Sequence, residues 1–310
     1  MYKYSVIIPT YNRLLFLQKA IDSVFEQNFS DFEIIVVDDG SSDGTWDWLQ
    51  SQGSRVIALK QLNSGPGAAR NLGASHARGD YLVFLDSDDV WFPWSIDTIT
   101  HVIEQENRPA IIQTSCLYDD SPVGAEYESR EIPSLSYLKY SNVYSYAAEQ
   151  PVSGAGATVI RRDIWQETNG FPPGRIVGED IHLMFQLGLH GSVVFIQSPP
   201  IFRYQKHEAN TTGSAVAWFK GACVLLNSES RGEFPDNQNY RSNRRLWLAH
   251  DAGYRALQCL KLKRGQWLCI ALYAKSFKLQ WEVGNWGFLI KTPMRFALAL
   301  IGLWPPKTKK

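Results

Sequence analysis

Three carboxylates stand within four positions, at Asp86, Asp88 and Asp89, directly after an apolar run at residues 81–85. Five apolar residues in a row predict a buried strand, so the carboxylates lie where that strand ends. Carboxylates this close repel one another unless a cation or hydrogen-bond donors separate them. An Asp-x-Asp pair here suits a hard divalent ion, Mg²⁺ or Mn²⁺, that keeps coordination sites open for phosphate oxygens. The alternative is an acidic helix start, because a helical pattern follows Phe92-Pro93.

The composition is that of a globular protein, with 310 residues, 45% hydrophobic and 20% charged. This length allows one large domain or two smaller ones. The four cysteines show no C-x-x-C spacing, which argues against a zinc site or a disulfide framework and fits a reducing compartment. The first apolar segment is too short for the hydrophobic region of a signal peptide. We therefore expect a cytoplasmic location.

The charge is unevenly distributed along the chain, although the formal net charge is zero. Residues 216–310 carry 16 Lys and Arg against 5 Asp and Glu, a net charge of +11, which leaves −11 for residues 1–215. This division predicts an acidic catalytic body and a C-terminal part that faces an anionic partner. The end of the chain favours a membrane surface over nucleic acid as that partner.

The carboxylates are positioned by a pattern in which apolar strands alternate with helices. Strands are predicted at residues 5–8, 32–37, 56–59 and 81–85, with helical spacing between them. Such alternation predicts a parallel sheet with right-handed crossovers. Ligands of these sheets bind beyond the carboxyl ends of the strands. The polar turns at residues 9–12 and 38–45 are therefore expected at the same edge as Asp86.

Four segments together resemble the inverting family-2 glycosyltransferases of GT-A fold, in a non-processive, bacterial form. They are residues 5–13 (SVIIPTYNR), 37–45 (VDDGSSDGT), 63–71 (NSGPGAARN) and 86–88 (DSD), in the family's order and spacing. The resemblance covers residues 3–210. It implies an α/β fold, with a Rossmann-like, mostly parallel sheet flanked by helices, and transfer of a sugar from a nucleotide donor. No Q-x-x-R-W motif of the processive polysaccharide synthases is present, which favours transfer of a single sugar.

The resemblance also implies which residues bind the nucleotide. These are Pro9, Thr10, Tyr11, Asp39, Arg70 and Asp86. Asp39 accepts a hydrogen bond from the uracil ring N–H, for which a carboxylate is a suitable acceptor. Arg70 lies near the base or the diphosphate. The alternative for Asp38 and Asp39 is a turn held by hydrogen bonds from their side chains to the backbone.

The metal and the catalytic base follow from the same resemblance. Asp86 faces the ribose and the metal, and Asp88 binds the Mn²⁺ or Mg²⁺ that bridges the diphosphate. His207 is a further metal ligand, with a surface position as the alternative. Asp180 is the base, and Glu179 binds the acceptor or the backbone; the alternative is an acidic helix cap. Because a helix N-terminus lowers the pKa of a carboxylate, we expect Asp180 to be ionised at neutral pH.

Three regions complete the predicted organisation: a catalytic domain at 1–215, a helical hairpin at 216–280 and a tail at 281–310. Residues 119–150 show little periodicity, and we expect them to set acceptor specificity. The small residues at 151–158 are predicted either to pack closely or to form a floor under the donor sugar.

The tail combines three tryptophans and several basic residues with an apolar run at 296–304. Nine residues are fewer than the roughly 20 that span a bilayer. We therefore predict that the tail lies in the interface, on the inner face of the cell membrane, where the acceptor is lipid-linked. The alternative is that the run packs on the hairpin or forms a dimer contact.

The sequence thus predicts a metal-dependent, inverting glycosyltransferase that moves one sugar from a UDP-sugar to a saccharide in cell-surface polysaccharide biosynthesis. A nucleotidyltransferase is the first alternative, but it needs a glycine-rich loop with a basic residue after the first strand. This chain has Pro9-Thr10-Tyr11-Asn12 there. An inactive sugar-nucleotide-binding protein is the second alternative. The intact carboxylates argue against it, and they are Asp39, Asp86, Asp88 and Asp180.

Overall fold

This computed structural model describes residues 3–119, 134–152, 154–205, 214–262 and 265–300. Within these ranges the chain forms eleven strands and eleven α-helices. The strands are β1 (Tyr4–Thr10), β2 (Phe32–Asp38), β3 (Ile57–Lys60), β4 (Tyr81–Phe84), β5 (Val90–Trp91), β6 (Ile111–Thr114), β7 (Cys116–Asp119), β8 (Ser136–Tyr140), β9 (Thr158–Arg161), β10 (Val193–Ser198) and β11 (Phe202–Gln205). The helices are α1 (Leu14–Phe25), α2 (Thr45–Ser51), α3 (Pro66–His76), α4 (Ser95–Gln105), α5 (Val143–Glu149), α6 (Arg162–Trp165), α7 (Glu179–Leu187), α8 (Ala215–Arg231), α9 (Gln238–Lys261), α10 (Gln266–Glu282) and α11 (Trp286–Leu300).

Eight of the strands form one main sheet, in the order β3-β2-β1-β4-β9-β6-β10-β8. The pairs β1–β2, β1–β4, β2–β3 and β6–β10 are parallel. Strand β9 is antiparallel to both of its neighbours, and β8 is antiparallel to β10. The predicted α/β class, with a mostly parallel sheet flanked by helices and a C-terminal helical extension, is confirmed.

The central strands β1, β2 and β4 are buried on both faces of the main sheet, which explains why their residues are mostly apolar. Successive side chains of a strand point to opposite faces. Val6 and Ile8 accordingly pack in one core cluster with α1 and α4, and Ile7 packs in the other with α3 and α7. The same alternation separates Val83 from Phe84 in β4.

The register of the central strands brings the polar turns to one edge. Thr10 at the end of β1 pairs with Asp38 at the end of β2. Strand β4 ends earlier, with Phe84 opposite Ile7. The segment after β4 therefore continues beside the last residues of β1, and the Leu85 amide still donates to the Ile7 carbonyl at 3.1 Å. This places Asp86 next to the turn that follows Thr10.

A second, three-stranded sheet lies next to this edge, in the order β5-β11-β7. The chain changes sheet after β6, which lies in the main sheet, because β7 begins two residues later in the small one. Ser115 lies at the change of sheet, where its carbonyl accepts from the Ile201 amide at 3.0 Å. Strand β11 ends at the acidic segment, since the Gln205 amide donates to Asp89 Oδ1 at 3.4 Å.

The segment at 119–150, whose sequence shows little periodicity, nevertheless contains regular structure. Residues 120–133 lie outside the described part of the chain. After them come β8 and α5, and α5 begins with a reciprocal cap in which Asn142 and Ser145 each bond the other's backbone amide. The prediction that this segment sets acceptor specificity stays a prediction.

The C-terminal region forms helices α8 to α11. The predicted hairpin corresponds to α9 and α10, with Gly265 in the turn, whereas α8 was not predicted as a helix. The predicted boundary at residue 280 falls inside α10, which ends at Glu282. Helices α8 and α9 pack on α5 and α7 through a cluster that includes Phe185, Leu225 and Leu248. The extension is thus joined to the catalytic body by a hydrophobic core.

Helix α11 contains most of the described part of the predicted tail. It buries Phe288, Leu289 and Thr292 against the neighbouring helices and contains Pro293 within its length. Residues 301–310 lie outside the described part of the chain. In the ranges that are described, no helix combines the length and the apolar character needed to cross a membrane.

Candidate active site

Two arginines hold the carboxylates that follow β4. Arg70 Nη2 donates to Asp86 Oδ1 at 2.6 Å, and Arg13 Nη1 donates to Asp88 Oδ2 at 2.6 Å. Arg70 comes from the first turns of α3, and Arg13 directly precedes α1. Both helices begin at the edge where β4 ends, so the fold brings their basic side chains to the acidic segment. Charge-assisted pairs of this kind are the stronger class of hydrogen bond.

Both burial and neighbouring carboxylates act against the ionised form of Asp89. It is buried, and its burial, followed by the charges of Asp86 and Asp88, raises its pKa well above the ordinary value. A group in this position favours its protonated form until positive charge arrives.

The donor set fits a hard divalent cation. Asp86 and Asp88 offer carboxylate oxygens, which are the ligands that Mg²⁺ and Mn²⁺ prefer. Within the described ranges, however, no three His, Cys, Asp or Glu side chains are grouped as a ready-made metal cage. Asp86 and Asp88 would hold such an ion from one side, as expected for a site completed by phosphate oxygens. The predicted third ligand, His207, lies outside the described residues.

Asp39, which is predicted to bind the nucleotide, already accepts three hydrogen bonds within the protein. Its Oδ1 accepts from Gln61 Nε2 at 2.7 Å and from the Ser64 amide at 2.8 Å, and its Oδ2 accepts from the Gly65 amide at 2.9 Å. Two carboxylate oxygens offer about four acceptor positions. One position thus remains for a ligand donor, while the other three fix the loop at residues 61–65.

Asp38 holds a turn through a hydrogen bond between its side chain and the backbone, which was the alternative that the sequence left open. Its Oδ1 accepts from the Ser41 amide at 2.9 Å, which is the predicted side-chain turn. Its Oδ2 is buried and has no hydrogen-bond partner among the residues that the structure describes. The same holds for Thr10 Oγ1, on the neighbouring strand. Buried polar atoms without partners are uncommon and are costly to leave unpaired.

Tyr11, at the end of β1, lies close to the loop that carries Arg175. Tyr11 is 36% exposed, and the Arg175 guanidinium carbon lies 5.8 Å from its ring centroid. The loop that carries Arg175 touches the loop fixed by Asp39. A Cβ added at Gly65 would lie 2.6 Å from the Gly174 carbonyl oxygen, and the φ of +94° at Gly65 also favours glycine. Tyr11 and these two loops therefore lie close together beyond the ends of β1 and β2.

Arg70 connects this region to the acidic pair at the start of α7. Its Nη1 donates to Glu179 Oε1 at 3.1 Å, while its Nη2 holds Asp86. The side chain is almost fully buried, and burial alone would favour the neutral form. The carboxylates of Asp86 and Glu179 outweigh that effect and raise the pKa of Arg70. One permanent positive charge therefore lies between the two groups of carboxylates.

The expectation that a helix N-terminus keeps the pKa of Asp180 low is wrong. Asp180 does lie in the first turn of α7, and its Oδ1 accepts from the Ile181 amide at 2.8 Å. Burial, followed by the charge of Glu179, nevertheless raises the pKa of Asp180 to about 7, against smaller lowering effects from Ile181, Arg255 and Arg70. A group with this pKa can accept a proton near neutral pH and release it again.

A short turn of small residues lies beneath both sets of carboxylates. A Cβ added at Gly156 would lie 3.3 Å from Asp86 Oδ2 and from Asp89 Oδ2. A Cβ added at Gly154 would lie 3.7 Å from Asp180 Oδ2. The turn thus packs closely against the strand-end aspartates and Asp180, and its role as a floor for the donor sugar stays a prediction.

The structure brings the predicted site residues of the described chain to one edge of the sheet. Those at the strand ends are Pro9, Thr10, Tyr11, Asp39, Asp86 and Asp88; Arg70, Glu179 and Asp180 are carried there by helices. Two neighbours received no predicted role. Arg13 was visible only as a basic residue after the first strand. Arg255 was visible as an arginine within an apolar helical stripe, four residues after Asp251.

Comparison with known proteins gives consistent matches. Residues 5–167 match the model of the family described as glycosyl transferase family 2. An uncharacterized glycosyltransferase, alr2836 of Nostoc sp., is 30% identical over 69% of this chain and 68% of its own length. The UDP-Glc:alpha-D-GlcNAc-diphosphoundecaprenol beta-1,3-glucosyltransferase WfaP of Escherichia coli is 33% identical over 45% of this chain and 57% of its own. In glycosyltransferases of Rickettsia felis and Rickettsia conorii the match spans only 18% of their length.

Solved structures match the fold over nearly the whole chain. TarS of S. aureus, in complex with UDP-GlcNAc, aligns with a TM-score of 0.58 and 17% identity, covering 91% of this chain and 92% of that one. The mannosyltransferase PcManGT from Pyrobaculum calidifontis, in complex with GDP-Man and Mn2+, aligns with a TM-score of 0.53 and 17% identity, covering 96% and 84%. At this level of identity the likeness concerns the fold alone.

Proposed function

The chain belongs to glycosyl transferase family 2, and we propose that it moves a single sugar from a UDP-sugar to a saccharide acceptor, with inversion at the anomeric carbon. One observation carries the proposal: the buried Arg70 bonds both Asp86, at the predicted donor site, and Glu179, beside the predicted base. Displacement at a sugar carbon needs these two functions side by side, one at the leaving diphosphate and one at the attacking hydroxyl.

The residues divide the reaction between them. Asp180 accepts the proton of the acceptor hydroxyl, and its pKa of about 7 suits a general base that works near neutral pH. Glu179 holds Arg70 in place and gives the acceptor a second carboxylate to bind. Arg70 and Arg13 place positive charge where the diphosphate leaves. A Mg²⁺ or Mn²⁺ ion bound by Asp86 and Asp88 would add a Lewis acid that stabilises the leaving diphosphate.

UDP is the nucleotide that the site and the relatives favour. Asp39 keeps one acceptor position, which can take the single ring N–H of uracil. WfaP is named as using UDP-Glc, and TarS was solved with UDP-GlcNAc. The lipid-linked acceptor named for WfaP also supports our expectation that this chain works on a lipid-linked saccharide at the inner face of the cell membrane, in polysaccharide biosynthesis.

A thermal-shift screen with Mn²⁺ tests the donor class. We expect UDP and one or more UDP-sugars to raise the melting temperature, because a ligand that binds the native state stabilises it by about 2.7 kcal/mol at 100 times its Kd. GDP and CDP should raise it less. Equal effects of all three diphosphates would remove the role of Asp39, whereas no effect of any of them would contradict the proposed function.

The surface of α10 and α11 supports the membrane part of the proposal. Large apolar side chains are exposed there, and they are Trp267, Phe277, Trp281, Trp286, Ile290, Met294, Leu298 and Leu300. Phe277 stacks on Trp281, whose ring meets that of Trp286 at 4.7 Å between centroids. Exposed lysines at 275, 278 and 291 lie among them. Tryptophan prefers the membrane interface, and basic residues near an anionic leaflet contribute about 1 kcal/mol each.

Co-sedimentation with vesicles tests this surface. The full chain should pellet with anionic vesicles, and less so with neutral vesicles or in high salt. Replacing the exposed Ile290 and Met294 together by Glu should leave the protein in the supernatant, because it removes apolar area and adds negative charge.

The matched control replaces Leu15 and Leu62 by Glu. These two side chains are more exposed than Ile290 and Met294 but lie on the catalytic body, so this variant should still pellet. If the wild type remains in the supernatant on anionic vesicles and the Ile290 and Met294 change alters its oligomeric state, the surface is a dimer contact and the membrane proposal fails.

A further inference from the structure

Helix α9 carries a buried arginine that reaches out of the C-terminal extension. Arg255 is 1% exposed, and its Nε donates to Asp251 Oδ2, one turn earlier in the same helix, at 2.5 Å. Its Nη1 donates to the carbonyl oxygen of Val177, in the catalytic body. The guanidinium lies over the ring of Trp218 in α8, 5.4 Å from its centroid. Three elements thus fix this side chain.

The turn that receives Arg255 is shaped for it. Gly178 has a φ of +92°, and a Cβ there would overlap Arg255 Nη2. A Cβ at Gly221 in α8 would overlap the Val177 carbonyl oxygen. The Val177 amide donates to the Ala217 carbonyl of α8 at 3.1 Å. Val177 is therefore held through both its amide and its carbonyl by the extension, and any side chain at Gly178 would displace the arginine.

The turn leads directly into the predicted base. Val177 and Gly178 precede Glu179 and Asp180, the first residues of α7. Glu179 is held by Arg70 from the sheet side. The acidic pair is thus fixed from two directions. Arg70 holds the Glu179 carboxylate, and Arg255 holds the Val177 carbonyl in the turn before the pair.

We propose that Arg255 is a positioning residue, which orients Asp180 toward the acceptor hydroxyl and makes α8 and α9 a structural part of the active site. The proposal rests on the proposed function, in which Asp180 is the base. A buried ion pair is a weak source of stability compared with apolar packing of equal volume. What the Arg255 guanidinium adds is a directional bond to one carbonyl, and that bond sets the path of the chain into α7.

The charge of Arg255 acts on the same group. The charged groups whose fields act on Asp180 are Glu179, Arg255 and Arg70. Glu179 raises the pKa of Asp180, and the two arginines lower it. Arg255 therefore supplies, from the extension, positive charge that acts on the base as well as a fixed position for it.

The test replaces Arg255 by Met and by Lys in the full chain and measures melting temperature, UDP affinity and sugar transfer. Arg255→Met should lower kcat by about 10–100-fold, since a displacement of about 1 Å in a catalytic group can cost that much. UDP affinity should stay within about twofold, because Arg255 does not touch the nucleotide side. Arg255→Lys should recover part of the loss, because an ammonium can still reach the Val177 carbonyl.

Arg244 provides a matched control on the same helix. It is buried and bonds Glu229 and the Pro235 carbonyl, about 16 Å along the helix axis from Arg255. Arg244→Met should lower the melting temperature without changing kcat per folded molecule. Should Arg255→Met fail to fold, Asp251→Asn offers a milder change that loosens the same guanidinium and should lower kcat in the same direction.

Two outcomes distinguish a failure of the positioning role of Arg255 from a failure of the proposed function. If the wild type is active and Arg255→Met, or Asp251→Asn in its place, lowers kcat no more than Arg244→Met does, Arg255 is merely structural and the proposal is overturned. A wild type that transfers no sugar from any UDP-sugar overturns the proposed function, and the positioning role falls with it.

Discussion

Replacing Asp180 by Asn should lower kcat by about 10²–10⁴-fold, which is the usual contribution of a general base. The amide has nearly the same shape and keeps its place at the start of α7, but it cannot accept a proton. UDP affinity should stay within about twofold, because Asp39, Asp86 and Asp88 are unchanged. Steady-state sugar transfer and UDP titration on the same preparation measure both quantities.

The pH profile of the wild type gives an independent check of the same prediction. The pKa of Asp180 is raised to about 7, so the base is protonated and inactive at lower pH. The logarithm of kcat/KM, which reports the pKa values of the free enzyme, should therefore fall as pH decreases below about 7 and level off above it. In Asp180→Asn this acid limb should disappear, because the group that titrates has been removed.

Glu179→Gln is the matched control, because it removes a neighbouring carboxylate and not the proposed base. It removes a charge one residue away and weakens the bond to Arg70, but it leaves the proposed base intact. Because the Glu179 charge raises the pKa of Asp180, its loss should move the acid limb to lower pH. If Glu179→Gln is the inactive variant and Asp180→Asn keeps its activity, the roles of the two residues are exchanged.

The second large effect is expected at Asp88. UDP binding by the wild type should require Mn²⁺ or Mg²⁺ and be lost in EDTA. Asp88→Ala should weaken metal-dependent UDP binding by more than the roughly 10–100-fold that loss of an outer-sphere partner costs. Calorimetry with and without metal measures both effects, and it reports binding even where no sugar is transferred.

Asp97→Asn serves as the matched control for Asp88→Ala. Asp97 is an exposed carboxylate in the first turn of α4, outside the acidic segment. This variant should bind UDP as the wild type does. Equal UDP affinity of wild type and Asp88→Ala in EDTA and in Mn²⁺ would show that binding does not depend on a metal at Asp88, and the metal assignment would then be abandoned.

The backbone of the site could be predicted because its signals are local. Each strand end can be predicted from fewer than ten residues of sequence, as in the run at residues 81–85 and the turn after Asp38. Parallel pairing then places those ends together, as the register of Thr10 with Asp38 shows. The carboxylates at these ends are identified by residue type and position alone.

The partners of those carboxylates could not be predicted, since they depend on contacts far apart in sequence. Arg13 and Asp88 are 75 positions apart, and Arg70 and Glu179 are 109 apart. The expectation for the pKa of Asp180 failed because it considered a single local effect. A local rule about helix ends predicts a low pKa, whereas burial and the Glu179 charge, which the rule does not include, outweigh it.

The order of strands in the main sheet has a consequence for folding. Strands β3-β2-β1-β4 come from the first 84 residues and β6-β10-β8 from residues 111–198, and only β9 joins the two groups. During synthesis, at about 5–20 residues per second, the edge of β4 stays unpaired until residues 158–161 have emerged. Contacts that span so much sequence slow folding and leave an apolar strand edge open to other chains. In a nascent chain shorter than 158 residues, the edge of β4 beside its aspartates thus lacks its partner strand β9.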